Sequence, residues 1–152
     1  MDVFYYWKNV ESDVDAGRIG YLQSGAETLT RLKAGYPGYL WFFKTPKGQK
    51  GRLQLLGRLL WSDTALASAG PAPAGSHIHY DPDHPKSVWY EGSESENAVT
   101  AVTAWAAEHF HAAVRANFQG VNGQHEMRGA VLQELEGIGK GLSTRAFRSV
   151  AP

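Results

Sequence analysis

Residues 39–63 constrain this chain more than any other stretch. They run Tyr39-Leu40-Trp41-Phe42-Phe43-Lys44-Thr45-Pro46-Lys47-Gly48-Gln49-Lys50-Gly51-Arg52, then Leu53-Gln54-Leu55-Leu56-Gly57-Arg58-Leu59-Leu60, and close on Trp61-Ser62-Asp63. β-Branched and aromatic residues favour a pleated, half-buried surface, and aromatics crowd the first half of this stretch. Pro46 and Gly48 punctuate the stretch where a turn is needed. It therefore reads as two strands joined by a basic, glycine-rich hairpin. Successive strand residues face opposite sides, so Trp41 and Phe43 share one face and Phe42 takes the other. On a sheet with one buried side, only half of such a run belongs to the core.

Further elements fall on either side. Phe4 to Lys8 reads as a first strand. Asn9 to Gly17 is polar and turn-like, and Gly17 to Leu22 is a short extended piece. Ala26 to Ala34 fits a short helix with Leu29 and Leu32 on one side, stopped by Gly35-Tyr36-Pro37-Gly38. The Ala/Gly/Pro/Ser-rich stretch Leu66 to Gly75 is a loop or linker. Ser76 to Pro85 looks like a structured turn, and Ser87 to Glu91 like another strand. Residues 98–117 form the best helix, because Val99, Val102, Ala106, Phe110 and Val114 recur at helical steps. A shorter helix is expected over Gln124 to Glu136, with Met127, Val131 and Leu135 on one face. Gly137-Ile138-Gly139-Lys140-Gly141 should break it, and Thr144 to Val150 should add a last helical turn. Strands first and helices later argue for an α+β fold. The expected architecture is a curled, mainly antiparallel sheet or partial barrel with C-terminal helices, in a single domain spanning 1–152.

Composition narrows the functional classes. With no cysteine, disulfides, thiolate metal sites and cysteine nucleophiles are excluded. No apolar run approaches a membrane span and no signal peptide is visible, so a cytoplasmic location and no membrane partner are expected. The formal net charge is zero, but residues 1–60 carry nine Lys/Arg against five Asp/Glu, and residues 61–100 one against six. Such asymmetry can place a basic face on a neutral protein. A protein that coats long duplexes would be far more basic, so any nucleic-acid contact should be small and pocket-like.

Base-stacking aromatics beside phosphate-binding cations are the ingredients of nucleic-acid binding. Asn9, Ser62 and Asp63 offer donors and acceptors for a base edge. Lys47, Lys50 and Arg52 at the hairpin tip are suited to phosphates. A second constellation is His77-x-His79-x-Asp81-x-Asp83-His84. Alternation puts His77, His79, Asp81 and Asp83 on one side, and imidazole with carboxylate suits a divalent metal. A metal site on His77, His79, Asp81 and His84 would make the chain a small metal-dependent hydrolase. Two prolines favour a hydrogen-bonded polar turn instead. The Gly137 to Gly141 run lacks phosphate-loop spacing, and no Ser/His/Asp elbow is present. No catalytic set and no cofactor are therefore expected.

Phe4-Tyr5-Tyr6-Trp7-Lys8-Asn9, Gly17-Arg18-Ile19-Gly20-Tyr21, the helix around Leu29 to Leu32, and the strand Leu55-Leu56-Gly57-Arg58-Leu59 together resemble the PUA-like superfamily, most closely its YTH and EVE domains. The likeness covers roughly residues 4–63. Members of those families read modified bases in RNA or DNA by flipping the base into an aromatic-walled cage. The resemblance implies a nucleic-acid-binding module with Trp7, Lys8, Asn9, Tyr21 and Trp61-Ser62 near its pocket. Trp41 and Asp63 join them as candidate ligand-binding residues on chemistry. Tyr21 stands where YTH domains usually carry tryptophan. The expected partner is nucleic acid, with a separate effector protein as a further one. The alternatives are the metal-dependent hydrolase and a protein–protein interaction domain that uses the aromatic surface.

Overall fold

The structure is a computed structural model that describes residues 1–66 and 75–149. Most of the expected Leu66 to Gly75 loop, and Val150, lie outside the described residues. The strands are β1 (Asp2–Tyr6), β2 (Tyr21–Ser24), β3 (Tyr39–Lys44), β4 (Gln54–Ser62), β5 (Ser76–Asp81), β6 (Val88–Glu91), β7 (Gln124–Met127) and β8 (Ser143–Ala146). The helices are α1 (Val10–Asp15), α2 (Thr28–Lys33), α3 (Glu96–His109), α4 (His111–Arg115) and α5 (Gly129–Lys140). Among the described residues one sheet runs β2-β5-β4-β3-β1-β7, and β6 pairs with both β4 and β8. Among the described residues only β1 and β3 pair in parallel, and every other ladder is antiparallel. The fold is mixed α+β with a strongly curled sheet. No helix among the described residues is long and apolar enough to cross a membrane.

The expected β3–β4 hairpin forms, with Tyr39 opposite Leu60 and Lys44 opposite Gln54. Trp41 and Phe43 do share a face, and Phe42 takes the other. The expectation of one buried side is corrected: both faces are buried. One core joins Val3, Tyr5, Leu40, Phe42 and Leu59 to Val10 and Val14 of α1 and to Leu29 and Leu32 of α2. The other joins Phe4, Trp41, Phe43 and Leu55 to Val102 and Trp105 of α3 and Leu135 of α5. The sheet is thus the middle of three layers, and its aromatics are consumed on both sides. Opposite Phe42 and Phe43 the ladder of β4 skips Leu56. One extra residue reverses the alternation, so Leu55 enters one core and Leu56 and Leu59 the other.

Several expected elements are corrected. The 98–117 helix breaks at Phe110, whose φ of −131° and ψ of 46° are not helical. The break turns its ring onto Phe4 at 5.2 Å and His125 at 4.8 Å. Asn9 to Gly17 contains α1, because Val10 and Val14 are one helical turn apart and buried. Ser76 to Pro85 is a strand before it is a turn. Gln124 to Met127 is a strand on β1, so Met127 reaches the core from β7. The glycines at 137 and 139 do not break α5. A Cβ at Gly139 would stand 2.8 Å from the Tyr90 hydroxyl, so that glycine admits the tyrosine against the helix. Thr144 to Val150 holds the end of β8 and the short 3-10 turn Phe147–Ser149.

Candidate functional site

Three of the candidate ligand residues are spent inside the fold. Trp41 is 1% exposed, and its Nε1–H donates to the Asp2 carboxylate at 2.8 Å. Trp7 is 3% exposed and donates to Asp13 at 2.7 Å, while Asp13 also holds Arg18 at 2.9 Å. Tyr21 is buried too, and the crevice it shares with Trp7, Asp13 and Arg18 measures about 10 Å³. That is room for about one water, not for a ring. Trp7, Tyr21 and Trp61 therefore do not converge on one aromatic cage. Burial beside the Asp13 carboxylate also pushes the Tyr5 hydroxyl up to about 12.

Trp61 lies elsewhere, in a cleft of about 250 Å³ with Ser62, Asp63, Lys33, Tyr36 and His79. The Gly35–Gly38 turn builds its outer wall. Gly35 and Tyr36 donate backbone N–H groups to the Leu32 and Lys33 carbonyls, and Gly38 donates to Met1. This pins Tyr36 at φ 52°, a left-handed conformation costly for a side chain. Tyr36 is nevertheless 73% exposed, and its ring stands at 90° to Trp61 with centroids 5.7 Å apart. The Trp61 backbone N–H bonds to Gly38, which fixes the corner from the β4 side.

Two ring nitrogens of residues that line this cleft, Trp61 Nε1 and His79 Nδ1, are buried and have no hydrogen-bond partner among the described residues. Such groups are uncommon because the lost hydration is not repaid. Burial, then the neighbouring His77, hold the His79 imidazole below the usual histidine range. The Gly20 carbonyl pulls weakly the other way without reaching hydrogen-bonding geometry with Nδ1. His79 is therefore neutral at physiological pH, with one nitrogen to donate and one to accept.

The remaining polar candidates gather at the far end of β3. Lys8 and Asn9 border a cleft of about 400 Å³ with Trp7, Tyr6 and Gln23. Lys47 and Lys50 border another of about 420 Å³ with Tyr6, Asn117 and Gln119. Six residues of strand separate this end from the aromatic corner, about 20 Å. The tip lysines thus cannot hold the phosphate of a base bound at Trp61. Arg52 does not join them, because it pairs with Glu96 at 2.9 Å and bonds Thr100 at 3.0 Å.

The His77 to His84 donors do not converge as a metal cage would require. The His77 and His79 rings meet edge to face at 4.9 Å. Asp81 accepts from the Asp83 backbone, Asp83 pairs with Arg148, and His84 accepts from the Lys86 backbone. Among the described residues the one trio of donors within 4.8 Å of one another is Glu108, His109 and Glu134.

Tyr36 and Lys33 were missed as site residues, and His79 was singled out only as a metal ligand. Tyr36 carried a usable signal: an aromatic set among Gly35, Pro37 and Gly38 cannot be the interior of a helix or a strand. His79 lies on the strand face opposite the buried Ile78 and Tyr80, as the alternation of the His77 to Asp83 segment predicts.

The buried imidazoles give a pH prediction. His125, between Phe4 and Phe110, is also held below its usual range, chiefly by burial, against the opposing Asn122 carbonyl. For both histidines the folded value is below the unfolded one, about 6.5. As pH falls the unfolded chain takes protons first. Their stabilising contribution is thus complete above about 6.5 and is lost as pH falls from there through the folded values. Urea midpoints should drop between pH 7.5 and 5.5, and His125→Asn should flatten that slope. An unchanged slope in the variant would remove His125 from this account. Comparisons of the chain with protein-family models, curated proteins and solved structures find no match.

Proposed function

We propose that this protein binds nucleic acid and takes one unpaired base into the cleft between Tyr36 and Trp61, in a PUA-like manner and without catalysis of its own. The observation that carries the reading is the exposed, backbone-strained Tyr36 standing square to Trp61 beside two unpartnered ring nitrogens. Such a corner offers a flat ligand one face to stack on and one edge to meet. A base out of its stack needs both, plus hydrogen bonds to its Watson–Crick edge. Both atoms are buried as the cleft stands, so a base edge meets the Trp61 Nε1–H donor and the neutral His79 Nδ1 only as the cleft opens around it. Ser62 and Asp63 add further polar atoms, although Ser62 already donates to the Thr64 carbonyl at 2.8 Å. Lys33 stands at the rim, where a backbone phosphate would follow.

The test is titration of the protein with nucleosides and mononucleotides carrying plain and methylated bases, followed by tryptophan fluorescence. Tyr36→Ala and Trp61→Ala should each weaken binding by about 1–3 kcal/mol, the contribution of one stacked base. His79→Ala should discriminate among bases, because it removes an edge contact and no stacking surface. Unaltered binding in all three variants, each folded by circular dichroism, would discard the cleft.

A further inference from the structure

We infer that a nucleic-acid strand bound at the aromatic corner continues past α2 and the Tyr6 ring to the Lys47–Lys50 loop, so that full affinity requires several unpaired nucleotides. This rests on the base-binding reading above and adds the path and length of the ligand. The three clefts are linked through shared elements. Lys33, the last residue of α2, borders the aromatic corner. Ser24 and Gly25, shortly before α2, border the Lys8–Asn9 cleft. That helix is six residues, about 9 Å. Tyr6 then belongs to both the Lys8–Asn9 cleft and the Lys47–Lys50 cleft.

Charge follows the same course. Among the described residues Arg31, Lys33, Lys8, Lys47 and Lys50 form no salt bridge, whereas Arg18, Lys44 and Arg52 nearby are each paired with a carboxylate. Unpaired cations strung along a surface are what a phosphate chain recognises. The loop itself is built to present two of them. Gln49 N–H bonds Pro46 and Arg52 N–H bonds Gln49, giving two turns in succession. Gly48 at φ 74° and Gly51 at φ 87° take the left-handed position of each, which sets Lys47 and Lys50 at the same corner of consecutive turns. Asn117 and Gln119 border the same cleft. The span of about 20 Å exceeds one nucleotide and fits the lower end of single-strand site sizes, about four nucleotides.

The experiment is a length series of uridine and thymidine oligonucleotides, from one to about ten nucleotides, measured by calorimetry on the full chain. Affinity should rise by about tenfold or more between the dinucleotide and the hexanucleotide and then level off. Lys47→Ala/Lys50→Ala should abolish that rise and flatten its salt dependence, with the loss confined to the longer oligomers. Equal affinity at every length, with mononucleotide binding still weakened by Tyr36→Ala, overturns the path and leaves the base site standing. A lysine variant that weakens mononucleotides as much as hexanucleotides overturns it too. No binding at any length overturns the base-binding reading and the path together.

Discussion

Trp7→Ala should lower the unfolding free energy by about 3–5 kcal/mol, the cost of emptying a large aromatic from a core. The indole is 3% exposed and packs edge-on against Phe42 at 5.3 Å and Tyr5 at 6.5 Å. Its loss opens a cavity between β1, β3 and α1. It also strips the Asp13 carboxylate of its donor at 2.7 Å, leaving Arg18 as that group's remaining side-chain partner. Against a total stability of about 5–15 kcal/mol, this is a large fraction. The melting temperature of a chain this size should fall by about 10 °C or more. Trp61→Ala should behave differently. That indole is only partly buried, and its N–H has no partner to lose among the described residues. Its removal should leave the fold close to intact while ligand binding drops. Equal destabilisation by the two substitutions would mean that Trp61 is a core residue and would take the aromatic corner with it.

The contrast between those tryptophans shows where sequence reasoning reaches and where it stops. Period-two alternation from Tyr39 to Lys44 was enough to place the hairpin and to assign Trp41 and Phe42 to opposite faces. It could not reveal that both faces are covered, because that depends on what lies above and below. The cover on one side is α1, whose two apolar anchors, Val10 and Val14, sit in a run with Glu11, Asp13 and Asp15 that reads as a turn. A residue such as Trp7 is chemically equal to a ligand-binding tryptophan until Asp13 is seen to hold its N–H. The break at Phe110 was hidden for a similar reason. The helical period continues through it, and only the tertiary slot formed by Phe4, Trp105 and His125 explains the departure. Lys47 and Lys50 were identifiable from the hairpin. Their distance from Trp61 was not, because it follows from the two residues lying beyond opposite ends of β3.

Gly57→Ala is expected to cost about 3 kcal/mol or more, at the upper end for overpacking, because the added methyl has nowhere to go. A Cβ there would stand 2.3 Å from the Val88 carbonyl oxygen and 2.5 Å from the Phe42 ring. The first neighbour is backbone and the second is a core ring that is 0% exposed, so neither yields easily. Gly57 is also the fork of the sheet, paired with Phe42 on one side and with Trp89 on the other. The strain should therefore fall on β6. With it should go β8, and Phe147, which stacks on Trp89 at 5.1 Å and accepts the Trp89 N–H at its carbonyl. Hydrogen exchange should accelerate first at the β4–β6 and β6–β8 amides and last along β1 and β3. Gly137→Ala supplies the opposite sign from the same chemistry. That glycine lies in α5 with nothing within 4 Å of an added Cβ, so alanine should stabilise by about 0.5–1 kcal/mol through helix propensity. A Gly57→Ala protein as stable as the parent would mean that the β4–β6 ladder is not formed as described, and the three-layer arrangement around it would have to be redrawn.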